Sequence, residues 1–150
     1  MKLIPLVLSV LLFSCTGGDF YDINLVNLRG ETVSMEVFRK KNIIIYLWTG
    51  TCTGHTRDLK KLSKLAEGKN LKGKVISVAL LMTPEDVIDI HNKNGIRKNF
   101  PIYADPEGKT AEKFKIIFLP ATILISPRGK VLENHPGLSP KLLSFVLTHN

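Results

Sequence analysis

"IIIYLWTGTCTGHTRDLKKL", residues 43–62, joins an apolar, β-branched run to a helical pattern through a turn of small residues that carries Cys52. The run from residue 42 to residue 48 is apolar on both faces, which is typical of a central strand. Beyond the turn, leucines recur at helical spacing with basic residues between them. The stretch therefore predicts strand, turn and helix, with Cys52 at the helix start and His55 one turn later on the same helical face.

A cysteine in this position is expected to be acidic. Free N–H groups at a helix start and the helix dipole stabilise a thiolate, and His55 is placed to donate to the sulfur or to add a nearby positive charge. The alternative is a buried structural cysteine, the usual fate of a lone thiol. Because Cys52 directly follows a buried strand, at the sheet edge where ligand sites gather, we expect a reactive thiol.

The other patterns along the chain are those of an α/β protein. Residues 20–38 alternate around a turn at Asn27 and Gly30, which predicts an N-terminal hairpin. The strand, helix, strand order that follows predicts a parallel pair, and hence a mixed sheet with helices on both faces. Later segments indicate a strand over 74–82, helices over 84–94 and 109–114, a hairpin turning at 127–129, and a helix from Ser139 to Thr148.

The N-terminus has the plan of an exported lipoprotein. A basic start and a short apolar run end in "LFSC" at Cys15, which resembles the lipobox of bacterial lipoproteins. We expect residues 1–14 to be the signal peptide, residues 15–19 the lipidated end and tether, and residues 20–150 one domain, anchored to the membrane in the cell envelope and facing the periplasm or the exterior. An ordinary cleaved signal and a buried N-terminal strand are the alternatives.

The net charge indicates which kinds of partner to expect, and the cysteine count indicates whether the domain can form an internal disulfide. The chain of 150 residues has 21 basic and 13 acidic side chains, a formal net charge of +8. For an exported protein, this favours a basic surface near anionic lipid or acidic proteins over a nucleic-acid partner. With Cys15 lipidated, Cys52 is the only thiol of the domain, so no internal disulfide is expected.

The segment around Cys52 resembles the active-site segment of TlpA/ResA-like thiol-disulfide oxidoreductases, which have a thioredoxin-like fold, and of their peroxiredoxin relatives. Trp48 and Cys52 match the family's tryptophan and attacking cysteine. "FLPATILISPRGKVLENHPG" (residues 118–137) resembles the family's cis-proline strand, with Pro120 at the cis-proline position. The resemblance implies that Trp48, the backbone of Leu119 and Pro120 contact the substrate, while Cys52 and His55 are catalytic.

Three positions bear on how such a site would work. His55 replaces the resolving cysteine, so a mixed disulfide on Cys52 must be released by an external thiol or reductant. Tyr46 stands where relatives often carry a buried aspartate or another polar residue that assists proton transfer. Asp58 matches an acidic residue that is common in the family.

Four functions follow as hypotheses. The first is a monothiol oxidoreductase acting on envelope proteins with thiols or disulfides, in cytochrome c maturation or disulfide maintenance. The second is a one-cysteine peroxidase, which Thr49 fits and Ile45 does not. The third is a Cu(I) chaperone using Cys52 and His55, and the fourth is a redox-inactive binding module. We expect no cofactor and no metal, and we expect the remaining histidines on the surface: His91, His135 and His149.

Overall fold

The computed structural model describes residues 19–149, so the predicted signal peptide and the lipidation site at Cys15 lie outside the described part. Within it, the chain forms seven strands and four α-helices. Their bounds are β1 Asn24–Asn27, β2 Thr32–Ser34, β3 Ile43–Trp48, α1 His55–Gly68, β4 Val75–Leu80, α2 Pro84–Asn94, β5 Ile102–Asp105, α3 Lys109–Phe114, β6 Ala121–Ile125, β7 Val131–Pro136 and α4 Pro140–His149. Between residues 19 and 149, no helix combines the length and apolar character needed to cross a bilayer.

The strands form one mixed sheet in the order β2-β1-β5-β4-β3-β6-β7. β3 pairs in parallel with β4 and β4 with β5, whereas the other neighbouring strands are antiparallel. Every residue of β3 is buried, as expected for a run that is apolar on both faces. The predicted α/β class, the mixed sheet and the parallel pair are confirmed.

Helices cover both faces of the sheet. Successive side chains of a strand point to opposite faces, so Ile44, Tyr46 and Trp48 pack with α1, α2 and α4 in one apolar layer. The alternate residues of β3 pack with α3 and two short 3-10 helices, Phe20–Asp22 and Met35–Phe38, in the other. The two layers enclose β3 on both faces of the sheet.

The N-terminal hairpin is confirmed, with shorter strands than the alternating pattern suggested. The Asn27 side chain accepts hydrogen bonds from the N–H groups of Arg29 and Glu31, and Gly30 takes a positive φ of 82°. The two 3-10 helices at its ends were not predicted. Their signals are local, because Asp19 and Ser34 each accept a hydrogen bond from a backbone N–H in the turn that they begin.

The start of α1 differs from the prediction. Gly54 is the N-cap residue and has a left-handed backbone with φ of 89°, so the helix begins at His55. A residue in this conformation interrupts the helical backbone, and glycine adopts it without a steric penalty. Cys52 therefore lies in a bend ahead of the helix, and it does not share a helical face with His55 as expected.

Candidate active site

Cys52 and the Leu119–Pro120 peptide bond lie at the same edge of the sheet. Cys52 follows the carboxyl end of β3, and Leu47 in that strand pairs with Ala121 at the start of the antiparallel strand β6. Because the strands run in opposite directions, Pro120 lies beside the turn that carries Cys52. The Leu119–Pro120 bond is cis, as the family resemblance implied.

The backbone groups of Leu119 and Pro120 differ in whether they form hydrogen bonds within the protein. The Pro120 carbonyl accepts a hydrogen bond from the N–H of Gly137 at 2.8 Å. Within residues 19–149, by contrast, the N–H and carbonyl groups of Leu119 form no backbone hydrogen bond. Leu119 is half-buried and leaves both groups available to an incoming chain.

The imidazole of His55 contacts the backbone of Cys52 and not its sulfur. The Nδ1 atom of His55 lies 2.7 Å from the Cys52 carbonyl oxygen, and since a carbonyl only accepts, Nδ1 carries the proton and donates. The His55 ring stacks on Trp48, with centroids 5.1 Å apart and planes 12° from parallel. The expected donation from the imidazole to the sulfur is therefore wrong, and His55 fixes the shape of the Cys52 turn instead.

Trp48 is placed beneath the site and not on its surface. Its side chain is 0% exposed, and its indole N–H donates to Ser77 Oγ at 2.9 Å. The expected contact between Trp48 and a substrate is corrected accordingly, because a fully covered ring cannot touch a partner. Trp48 instead supports His55 from below.

The Cys52 thiol is less acidic than the sequence suggested. Burial raises its pKa above the ordinary value, and the negative charge of Asp58 raises it further. Backbone groups of Thr49, Cys52 and His55 act in the opposite direction. The half-buried sulfur packs against the apolar layer that contains Trp48, and desolvation of a thiolate there outweighs these favourable dipoles.

A buried polar pair stands next to the thiol. The Tyr46 hydroxyl donates to Asp58 Oδ2 at 2.9 Å, and both side chains are buried. Arg57 Nε lies 3.5 Å from Asp58 Oδ1. Burial raises the pKa of Tyr46, and the charges of Asp58 and Cys52 raise it further, so the thiol, the phenol and the carboxylate are electrostatically coupled.

Asp58 was left out of the predicted site, although its position carried a signal. It lies on the buried face of α1 with Leu59, Leu62 and Ser63. An acidic residue at a core-facing position needs a partner inside the protein, since a buried carboxylate without one is strongly unfavourable. Tyr46, on the neighbouring strand, is that partner.

Of the other three histidines, only His91 departs from the expected surface position, since His149 is exposed and His135 is half-exposed. His91 is fully buried, which makes its predicted surface position wrong. His135 lies within β7 beside Glu133, and His149 ends α4. Across the described residues, no three side chains of His, Cys, Asp or Glu converge as a metal site would require.

Comparison with known proteins shows the family to which this chain belongs. A model of the AhpC/TSA family matches residues 16–134. A "Thioredoxin-like protein" of Haemophilus influenzae is 36% identical over 132 residues, covering 80% of this chain and 73% of its own. "Thiol-disulfide oxidoreductase ResA" of Bacillus subtilis is 22% identical over 118 residues, and this match spans 78% of the present chain and 65% of ResA.

Solved structures give the same fold. StoA from Bacillus subtilis superposes with a TM-score of 0.66 at 20% identity, over 82% of this chain and 94% of StoA. The pneumococcal exposed lipoprotein thioredoxin Etrx1 gives 0.61 at 20% identity, over 86% of this chain and 99% of Etrx1. The chain therefore belongs to the AhpC/TSA family as a TlpA/ResA-like member with a thioredoxin-like fold.

Proposed function

We propose that this protein is an envelope thiol-disulfide oxidoreductase that acts through the single thiol of Cys52. The observation that carries the proposal is that a half-buried cysteine lies at the same edge of the sheet as Leu119, whose backbone N–H and carbonyl groups are free to form hydrogen bonds. An extended partner chain can pair with Leu119 while Pro120 forms the wall of the site. Such pairing would bring a partner sulfur to Cys52. Relatives named as thiol-disulfide oxidoreductases support the reaction class.

The reaction is an exchange of sulfur bonds. The Cys52 thiolate attacks one sulfur of a partner disulfide, a new disulfide forms between the two proteins, and the other partner sulfur leaves as a thiolate that takes up a proton. An external thiolate then attacks the partner's sulfur in the mixed disulfide. Cys52 leaves as a thiolate, so the protein ends each cycle as it began.

The external thiol is needed because His55 stands where a resolving cysteine would act. Within residues 19–149, Cys52 is the only cysteine. His55 donates to the Cys52 carbonyl and stacks on Trp48, so it keeps the turn in shape but provides no second sulfur. Mixed disulfides on Cys52 should accordingly persist longer than they would in a dithiol site.

The proposed location follows from the N-terminal sequence. A signal peptide over residues 1–14 and lipidation of Cys15 would anchor the domain to the membrane, facing the periplasm or the exterior. Partners would then be envelope proteins with thiols or disulfides. Whether the protein serves cytochrome c maturation or general disulfide maintenance is decided by which partners it traps.

Trapping of mixed disulfides tests the proposal. Cells producing the full chain are briefly exposed to an oxidant and quenched with a thiol-blocking reagent, and membrane proteins are separated without reductant and identified by mass spectrometry. We expect adducts that disappear on reduction and are missing from the Cys52→Ser variant, with the protein itself in the membrane fraction.

Two results would count against this function. If no Cys52-dependent adduct forms under oxidising stress, thiol exchange is excluded and a binding module is the better description. If purified protein consumes hydrogen peroxide through Cys52 much faster than it reacts with protein disulfides, the one-cysteine peroxidase replaces the proposal.

A further inference from the structure

The exposed side of α1 carries a row of cations that starts at the active site. Arg57, Lys60, Lys61 and Lys64, here called the α1 basic strip, are all exposed. Their spacing of three and four residues places them on one face of the helix. Together with Gly54 and Thr56 they line a shallow depression on the surface. Since Gly54 is two residues from Cys52 in the chain, this depression starts close to the turn that carries the thiol.

The protein itself neutralises only Arg57 of this strip, through Asp58. α1 has two acidic side chains: Asp58 is buried against Tyr46 and Arg57, and Glu67 pairs with Arg97. Among the residues from 19 to 149, the three lysines of the strip have no ion-pair partner. Three positive charges therefore face solvent without compensation.

Electrostatics within the molecule works against this arrangement. Like charges three or four residues apart on a helix repel each other. Cations near the N-terminal end of a helix also oppose its dipole, and Arg57 lies in the first turn of α1. The three lysines therefore make no favourable charge interaction within the described residues, and an acidic partner would supply one.

We propose that the α1 basic strip docks an acidic protein surface and thereby selects the partners whose sulfur reaches Cys52. This proposal rests on the proposed function. A protein partner is favoured over lipid, because the depression that the strip lines reaches Gly54, two residues from Cys52, and a protein can present a disulfide to that thiol whereas a phospholipid carries none. Charge complementarity raises the rate of encounter and disfavours basic partners.

The strip also constrains the partner's geometry. Residues 57 to 64 span about 10 Å along the helix axis at 1.5 Å per residue. A fitting partner presents two or three carboxylates over a similar length, starting close to its reactive sulfur. Partners with lysine or arginine in those positions should exchange slowly.

The experiment compares three forms of the full-length protein in an uncharged detergent. They are the wild type, the strip variant Lys60→Gln, Lys61→Gln and Lys64→Gln, and a matched control with Lys41→Gln, Lys72→Gln and Lys98→Gln. The control lysines are exposed and lie at the end of the sheet opposite Cys52, where the parallel strands β3, β4 and β5 begin. Both variants lose the same charge, and neither changes a residue of the catalytic site.

The probes are two peptides of identical length whose cysteine carries a coloured thiol leaving group, flanked by glutamates in one and by glutamines in the other. At about 0.01 M ionic strength, where the screening length is about 30 Å, we expect wild type and control to react about tenfold faster with the glutamate peptide. The strip variant should show little preference. At about 1 M salt, where the screening length is about 3 Å, the preference should vanish in all three proteins.

Two further measurements distinguish failure of the proposed function from failure of the docking proposal. A small uncharged disulfide reports the reactivity of Cys52 itself, and a glutamate peptide with serine for cysteine reports docking alone. If Cys52 reacts with no disulfide, the proposed function fails, while binding of the serine peptide still decides the docking surface. Equal rates with both peptides, or equal binding by wild type and strip variant, overturn the docking proposal. So does strip-dependent retention on phosphatidylglycerol vesicles without any peptide preference, which would assign the strip to lipid.

Discussion

The reactivity of Cys52 depends on opposing effects within a few residues. Burial and the charge of Asp58 raise the pKa of the thiol, whereas the backbone groups around the turn lower it. Tyr46 donates to Asp58 and holds the carboxylate in the interior. The site therefore keeps its thiol protonated more than an exposed cysteine would.

Replacing Asp58 by asparagine tests this balance. Because the negative charge of Asp58 raises the Cys52 pKa, the neutral amide in Asp58→Asn should lower it, and the thiolate should appear at lower pH. The rate of alkylation by iodoacetamide, measured against pH, gives the midpoint directly. An unchanged midpoint, or one that moves to higher pH, would contradict the assignment.

Tyr46→Phe is the control for that experiment. It removes the hydroxyl but keeps the carboxylate, so the midpoint for Cys52 should stay above that of Asp58→Asn. Loss of a hydrogen bond to a buried charged group should destabilise the protein by about 2 kcal/mol. Urea unfolding of the same samples shows whether each variant is folded when the thiol is titrated.

At the scale of elements, helix α2 shows how completely local signals can define a helix. Thr83 accepts a hydrogen bond from the N–H of Asp86 at 3.2 Å, and the Asp86 carboxylate accepts from the N–H of Thr83 at 3.0 Å. Pro84 takes the first helical position, and Gly95 ends the helix with a φ of 63°. Thr83, Asp86 and Gly95 provide hydrogen bonds for backbone groups that would be unpaired at the helix ends, and Pro84 has no N–H that needs a partner.

Removing the cap should measurably weaken α2. Thr83→Ala leaves the backbone N–H of Asp86 without its acceptor and takes away a donor to the Asp86 carboxylate, so we expect a loss of about 1 kcal/mol. Thr83→Ser keeps the oxygen and should retain most of the stability. Chemical denaturation of both variants gives the comparison, and equal loss in the two would show that the methyl group matters and the cap does not.

The elements were predictable from sequence because their determinants are local. The turn at Gly30, the cap at Ser139, whose hydroxyl accepts a hydrogen bond from the N–H of Leu142, and the buried run of β3 each depend on residues close together in the chain. The chemistry of Cys52 was not predictable in the same way. Its pKa depends on a half-buried position and on a carboxylate held by another element, and neither is visible in the order of residues around the cysteine.

At the scale of the whole molecule, one buried histidine links stability to pH. His91 in α2 is 0% exposed and lies between Trp48 and Phe100, with ring centroids 6.5 Å and 6.1 Å away. Neither ring nitrogen has a hydrogen-bond partner among the described residues. Burial lowers the His91 pKa from 6.5 to about 4, so the folded protein keeps the ring neutral where the unfolded chain would protonate it.

The protein should therefore lose stability in mild acid. Above a pH of about 6.5 the ring is neutral in both states, and between about 6.5 and 4 only the unfolded chain gains the proton. The unfolding free energy should fall through this window by about 3 kcal/mol in total. His91→Phe, which fits between aromatic neighbours and cannot be protonated, should flatten the profile, whatever its stability at neutral pH.

His135→Leu is the matched control, because this histidine is half-exposed on β7 and its replacement should leave the acid dependence in place. Urea unfolding at several pH values between about 7 and 4 gives the slope for each protein. The slope, and not the absolute stability, is the deciding quantity, since repacking around Trp48 changes stability equally at every pH. A slope in His91→Phe as steep as in the wild type would mean that other groups cause the acid sensitivity.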